Sequence, residues 1–357
     1  GKGEDFIDIS GNAIAVNSEA GHIVDAGGDD DVVIISGDAT ATTALINDDA
    51  LAGHTVNGGG GNDLVIIFGD ATADSLDGDA DAGHLVNGGD GDDIITIGDG
   101  VDDGVDDGDA TAFASLVDGF ADAGHTVNGG NGNDTITING DTFAVGFDAF
   151  NGHLVDGGAG NDDIFLNGDG NHFAFGGTGD DLIVMTGVGD VNFFGQDGED
   201  TLVGNAGDDF LSGGANDDFL IGGDGDDTLV GGEDDDTMFG DEGADLFIID
   251  AGIDFIGDLG NSTNPDDDQF QVSKNAIANI AVVGDWIAIP DGPPGLEGTW
   301  NQGEANLEIA SPLGLLVDLS DANTGPGAPS PTNGYTVVGN VGDDTITGSG
   351  DNDTLSG

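Results

Sequence analysis

Positive charge and sulfur are almost absent from this chain of 357 residues. There is no cysteine, so neither a disulfide nor a thiolate metal site is available. There is no arginine and only two lysines, Lys2 and Lys274, against 72 acidic residues, a formal net charge of −70. Nucleic-acid binding rests on neutralising phosphates, and adhesion to an anionic lipid surface needs basic residues, so the composition argues against both partners. No apolar run approaches the roughly 18 residues that cross a bilayer and no signal-peptide pattern opens the chain, which reads as a soluble mature form or a fragment with no direct membrane insertion. Neither H-E-x-x-H nor G-x-S-x-G occurs. No catalytic residue is therefore assigned, and the chain is expected not to be an enzyme.

What is abundant is Gly and Asp in a fixed phase. Only eight of the acidic residues are Glu, leaving 64 Asp. A generally acidic surface would use both, whereas ligands mounted on tight turns favour Asp, which tolerates turn backbone. The phase is the nonapeptide G-G-x-G-x-D-x-U-x, clean in Gly58 to Ile66 (GGGGNDLVI), Gly88 to Thr96, Gly129 to Thr137, Gly176 to Val184 and Gly222 to Val230. Its sixth position is Asp5, Asp31, Asp63, Asp93, Asp134, Asp162, Asp181, Asp200, Asp209, Asp218, Asp227, Asp236, Asp245, Asp344 and Asp353. The eighth position is apolar every time, from Ile7 and Val33 through to Ile346 and Leu355.

Six residues of Gly and Asp curl, and three extend so that U points inward while its neighbours point out. One copy buries too little to be stable, so copies must stack. Stacked turns offer carboxylates and backbone carbonyls, the hard oxygens that Ca²⁺ takes six to eight at a time. The fifteen sixth-position aspartates are thus the candidate calcium ligands, and the chain is expected to unfold largely without the ion. Free calcium sufficient for such sites is found outside the cell, which places the chain there.

Spacing divides the chain. Residues 1–168 read as an irregular wide-coil solenoid, with motif starts at 26, 58, 88, 129, 157 and 176 separated by 32, 30, 41, 28 and 19 residues. The intervening Ala, Asp and Thr-rich material reads as side loops, with no regular outward Thr column. Residues 169–249 read as a regular roll, strictly nine-residue from 195 to 248. Residues 250–338 hold all eight prolines and both tryptophans, and are expected to form a small inserted β domain that interrupts the roll. Residues 339–357 return to the repeat.

The wide coils share A-G-H-x-V just before the turn, and all six histidines lie in this motif: His22, His54, His84, His125, His153 and the variant His172. Stacked in register they make an imidazole ladder, open to a structural, a metal-binding or a pH-sensing reading.

The nonapeptide resembles that of the RTX (repeats-in-toxin) family of calcium-binding secreted proteins, over roughly two thirds of the chain. The resemblance implies an all-β, right-handed parallel β-roll or β-helix solenoid, type I secretion, folding triggered by calcium, and the sixth-position aspartates as ligands. The stretch Leu315 to Ser320 followed by the C-terminal repeats is similar to connectors in long bacterial surface proteins. Tail joined to head reads G-GKGEDFID, a complete nonapeptide. The expectation is a calcium-stabilised extracellular structural protein, joined head to tail with copies of itself in a filament, surface layer or fibrous adhesin. The alternative is the RTX segment of a secreted polysaccharide-active enzyme or ligand-binding adhesin, with a cell-surface or polysaccharide contact.

Overall fold

A tight turn followed by three extended residues, repeated, makes a ladder of short parallel strands. The computed structural model describes residues 3–16, 20–46, 50–77, 80–98, 110–114, 121–139, 142–145, 150–259, 268–273, 276–282, 286–287, 300–301, 304–309, 316–319, 334–339, 345–349 and 353–356. Among them there is no helix, and the strands form long parallel sheets without closing into a barrel. Two compact units are formed by residues 1–192 and 193–357.

In the first unit the wide coils, up to Phe150–Asn151, have four sides, and those from Leu154 onward have two. One coil runs through Thr55–Gly60, the Gly-Asp turn, Leu64–Ile67, Ala71–Asp77 and Ala80–Ala82. The next coil repeats it through Leu85–Asp90 and Ile94–Ile97, in register at Val56↔Val86 and Val65↔Ile95. The U residues Val33, Val65, Ile95, Ile136, Ile164 and Ile183 are fully buried, each contributing about 1.5–3 kcal/mol.

The material expected as side loops contributes strands of its own. Ala39–Ile46 pairs with Ala71–Asp77, and Ala50–Ala52 with Ala80–Ala82. Their inward residues form a second core made of alanine alone, including Ala39, Ala41, Ala50, Ala52, Ala71 and Ala73. Alternation Ala-x-Ala has a strand's period of two, but its inward side chains are single methyl groups and give little hydrophobic signal. Between the alanines, Thr40, Thr72 and Thr111 fall in register, a short threonine column that irregular spacing concealed.

The turns show why Gly recurs at the second and fourth motif positions. Gly89 and Gly91 have φ of +118° and +124°, and a Cβ on either would strike the backbone of the preceding coil. Six of the residues that replace Gly at these positions, Asp29, Gln196, Asn205, Asn216, Asp234 and Asp241, keep a φ between +66° and +89°.

In the second unit the coil shrinks to two nine-residue halves. Thr201–Ala206 pairs with Phe219–Asp224 and that strand with Thr237–Glu242, while Phe210–Ala215 pairs with Thr228–Glu233 and that with Leu246–Ile249. Residues 250–338, read from the sequence as an insert, add strands to these same sheets and also supply Trp286–Ile287 and Leu316–Asp318 to a separate three-stranded sheet completed by Thr345–Thr347. Ile253–Leu259, Ile277–Val282, Glu304–Ile309, Tyr335–Val338 and Thr354–Ser356 follow one another in parallel. All eight prolines lie outside the described residues, so strand positions here are free of the missing donor that would break a ladder.

Candidate metal centres

The D-x-U spacing turns the aspartate inward at the corner where turn becomes strand. Asp31, Asp63, Asp93, Asp134, Asp162 and Asp181 line one edge of the first unit, each at most 3% exposed. One carboxylate oxygen has a fixed task. The backbone N–H of Asp31 donates to Asp63 Oδ1 at 2.8 Å, that of Asp63 to Asp93 Oδ1 at 2.8 Å, and so on to Asp181. Two such rows occupy the second unit, Asp200, Asp218, Asp236 and Asp254 in one, and Asp209, Asp227, Asp245 and Asp268 in the other.

In nine of these aspartates the second oxygen has none. Oδ2 of Asp31, Asp63, Asp93, Asp134, Asp162, Asp218, Asp227, Asp236 and Asp254 is buried without a hydrogen-bond partner. An ionised, unpaired buried carboxylate is among the costliest arrangements a protein can hold. Burial accordingly pushes several of these acids, and Asp245 with them, up against the backbone N–H that opposes it: Asp218 and Asp227 to about 8, Asp245 to about 9, and Asp93, Asp236 and Asp254 to about 7. Neighbouring aspartate charges add to the effect of burial.

The orphaned oxygen faces the motif's first glycine. A Cβ on Gly88 would meet both Asp93 Oδ2 and the carbonyl oxygen of Gly129 one coil on, and Gly58, Gly129 and Gly157 repeat the arrangement with Asp63, Asp134 and Asp162. Carboxylate and carbonyl oxygens thus border one space that only glycine leaves open. No three His, Cys, Asp or Glu side chains are placed to hold one metal ion among the described residues, so an ion here would need backbone carbonyls beside the carboxylate. Hard, oxygen-only donors with an uncompensated negative charge suit Ca²⁺ and not a soft transition metal. Gly88→Ala is expected to close this cradle and remove about one bound calcium per chain in isothermal titration.

Asp5 and Asp353 are half-buried and join the same hydrogen-bond pattern, Asp5 N–H donating to Asp31 Oδ1 and Tyr335 N–H to Asp353 Oδ1. Asp344 lies outside the described residues. Sequence reading missed Asp254 and Asp268. The signal was present, since Asp254 stands nine residues after Asp245 with Ile256 at the U position, and Asp268 precedes Phe270 by two. It also missed Asp258, whose carboxylate accepts from the N–H groups of Gly240 and Asp241.

The histidine row is the other edge of the first unit. Adjacent rings from His22 to His172 stack with centroids 5.1, 5.0, 4.8, 4.8 and 4.6 Å apart and planes within 8° of parallel. His54 N–H donates to His84 Nδ1 at 3.0 Å and His84 N–H to His125 Nδ1 at 3.0 Å, while His84 Nε2 lies 2.8 Å from the Gly69 carbonyl. A ring that accepts at Nδ1 and donates from Nε2 is neutral and fully used, which leaves His84 no lone pair for a metal. The geometry therefore favours the structural reading of the ladder.

His84-Leu85-Val86 is spaced as Asp93-Ile94-Ile95 is, and the two bonding patterns coincide. Imidazole Nδ1 does what carboxylate Oδ1 does, but the other ring nitrogen finds a carbonyl in its own protein and needs no cation. His84→Leu would orphan a buried N–H and a buried C=O, and is expected to cost about 2–5 kcal/mol in urea unfolding of the calcium-loaded protein.

The model of the RTX calcium-binding nonapeptide repeat matches in four copies, at residues 126–137, 194–229, 221–256 and 336–357. An S-layer protein of Synechocystis sp. is 50% identical over 91 residues, 26% of this chain. The chain spans 5% of that protein's length. No solved structure matches. Over the four matched stretches the chain carries the calcium-binding nonapeptide repeat of the RTX family.

Proposed function

We propose that the chain serves as a calcium-stabilised structural element outside the cell, part of a surface layer or filament in which copies join head to tail. The observation carrying this reading is the rows of buried carboxylates, with one oxygen tied to the neighbouring coil and, at Asp63, Asp93, Asp134, Asp218, Asp227 and Asp236, the second buried without a hydrogen-bond partner. Such rows convert calcium binding into cohesion between coils and supply no reactive group. The proposed ligands are the sixth-position aspartates named above, with Asp254 and Asp268 added to them.

Head-to-tail joining is supported by the one-way hydrogen bonds between coils, in which the earlier coil's N–H meets the later coil's carboxylate, so that stacks can join only in that sense. A heterologous contact that does not close propagates. The likeness to an S-layer protein agrees with this reading. Export through a one-step type I channel is part of the same proposal, since folding that waits for external calcium keeps the chain extended before it leaves.

Electron microscopy of the purified chain tests the proposal. Filaments or sheets are expected in millimolar calcium and their disappearance in chelator. Monodisperse particles in both conditions would refute the assembly role. The intact mass of the secreted protein separates covalent tandem copies, at multiples of 35.3 kDa, from docked subunits.

A further inference from the structure

The residue just before each buried aspartate, the fifth of its turn, is exposed and also tied to a neighbouring coil. In the first unit Asn62 N–H donates to Asp30 Oδ1 at 2.9 Å, Asp92 N–H to Asn62 Oδ1 at 3.2 Å, Asn133 N–H to Asp92 Oδ1 at 2.9 Å and Asn161 N–H to Asn133 Oδ1 at 3.0 Å. In the second unit Asp226 N–H donates to Asp208 Oδ1 and Asp235 N–H to Asp217 Oδ1, while Asp226 and Asp235 accept from Ala244 and Ile253.

These ties cross the same gaps that hold the cradles. The cradle of Asp93 lies between its own coil and the next, bordered by Asp93 Oδ2 and the Gly129 carbonyl. Asp92, by accepting from Asn133, leans across that gap. Asn62 leans in the same way across the gap between Asp63 Oδ2 and the Gly88 carbonyl, and Asn133 across the gap between Asp134 Oδ2 and the Gly157 carbonyl.

The fifth residue is not constant. It is asparagine at Asn62, Asn133 and Asn161, and aspartate at Asp92, Asp208, Asp217, Asp226 and Asp235. Asn62, Asp92 and Asn133 all accept through Oδ1, an oxygen that both residue types possess, so hydrogen bonding does not account for the choice. What distinguishes them is charge.

We propose that the fifth residue of each turn sets the calcium affinity of the cradle it leans across, aspartate tightening it and asparagine loosening it. The proposal deepens the calcium reading above and rests on it. The fifth residue acts from the solvent side, one residue or about 3.8 Å of backbone away from the ligand. A carboxylate roughly 7 Å from a divalent ion in water strengthens binding about fivefold at about 0.01 M ionic strength and hardly at all at about 1 M, where charges are screened beyond about 3 Å. Burial is the chief cause that raises Asp93 and Asp134, and the Asp92 charge adds to it at both, which shows that the fifth position reaches across the gap. Calcium sites are graded by just such differences in surrounding charge. The first unit mixes both residues, so its cradles form a graded series in which that of Asp93 is tighter than those of Asp63 and Asp134 on either side.

Hydrogen exchange of the full chain over a calcium series, at low and at high KCl, tests this. Asn62→Asp with Asn133→Asp is expected to lower the calcium midpoint for protection of Leu64–Ile67 and Thr135–Ile138 about fivefold at about 0.01 M ionic strength, and Asp92→Asn to raise that of Ile94–Ile97 by a similar factor. Both shifts should all but vanish in about 1 M KCl. Asn161 is kept, because its amide also donates to Asp180. Both exchanges preserve the Oδ1 acceptor, so a fifth residue with a structural role alone leaves every midpoint unmoved, and that result overturns the proposal. Shifts that persist in high salt, or that run the same way in both variants, overturn it as well. Should the added charges prevent folding, Asp92→Asn, which only removes charge, carries the test by itself. Protection that depends on calcium but not on the fifth residue sinks this proposal and leaves the calcium reading intact, whereas protection indifferent to calcium in every variant sinks the calcium reading itself.

Discussion

Chelating calcium at neutral pH unfolds residues 193–357 at free-calcium levels that leave much of residues 1–192 protected. The second unit carries aspartate on both edges of its roll, whereas each coil of the first unit has one aspartate rung and one histidine rung that satisfies itself. At a hundredfold excess over its Kd, each ion contributes about 2.7 kcal/mol. Losing three therefore removes about 8 kcal/mol, comparable with the whole net stability of a domain, about 5–15 kcal/mol. Hydrogen exchange followed by mass spectrometry across a falling calcium series would locate the loss. Peptides from Thr201 to Asp268 should lose protection first, and peptides around His54 to Leu166 later. Simultaneous loss, or loss beginning in the histidine-bearing coils, contradicts the assignment of the two rows.

Acid should replace calcium more fully in the second unit than in the first, where the raised Asp93 and Asp162 are opposed by the lowered His54 and His84. Burial and neighbouring charge raise Asp218, Asp227, Asp236, Asp245 and Asp254 to between about 7 and about 9, above the ordinary carboxylate value of 3.8. A group raised on folding binds its proton more tightly in the native state. Its contribution is fully present below the unfolded value and is lost as pH climbs through the folded values. Without calcium, strand signal from this unit is thus expected at pH 5 and absent at pH 8.5.

Burial moves the histidines the other way, His54 below its ordinary 6.5 and His84 well below it, with the neighbouring rings adding to the effect on His84. Their contribution is complete above pH 6.5 and is lost as pH falls through the lowered folded values. Hence between pH 7 and pH 5 the second unit should gain more than the first, whose aspartate and histidine rungs pull opposite ways. Circular dichroism with exchange mapping at both pH values, in chelator, decides it. Equal gains in the two units would show that net charge, and not the rungs, governs the acid response.

Much of this was legible because the nonapeptide couples a chemical residue to a packing residue at fixed distance. Val33, Leu202, Leu211 and Phe247 are buried where the eighth position predicts, and Asp93 and Asp227 face inward where the sixth does. Asp254 and Asp268 were hidden because their turns lack the leading glycine pair, although D-x-U survives. The alanine sheets were hidden for a different reason, since a strand whose inward residues are Ala71 and Ala73 looks no more apolar than a loop. The equivalence of His84 and Asp93 lay in the shared spacing to Val86 and Ile95. Imidazole and carboxylate look chemically unlike until their hydrogen bonds are seen to run to the same backbone group. Prolines signalled an interruption at 250–338, but a roll tolerates long excursions between rungs so long as the strands return in register.

Every rung points one way. In both rows the N–H belongs to the earlier coil and the accepting oxygen or nitrogen to the later, as from Asp63 to Asp93 and from His54 to His84. The stack is therefore a vector. Any face exposed on its early side offers side-chain acceptors, and any face exposed on its late side offers bare main-chain donors. Two early faces cannot satisfy each other, nor can two late ones. Whatever such stacks build end to end inherits a single direction, with chemically distinct extremities and growth that differs between them.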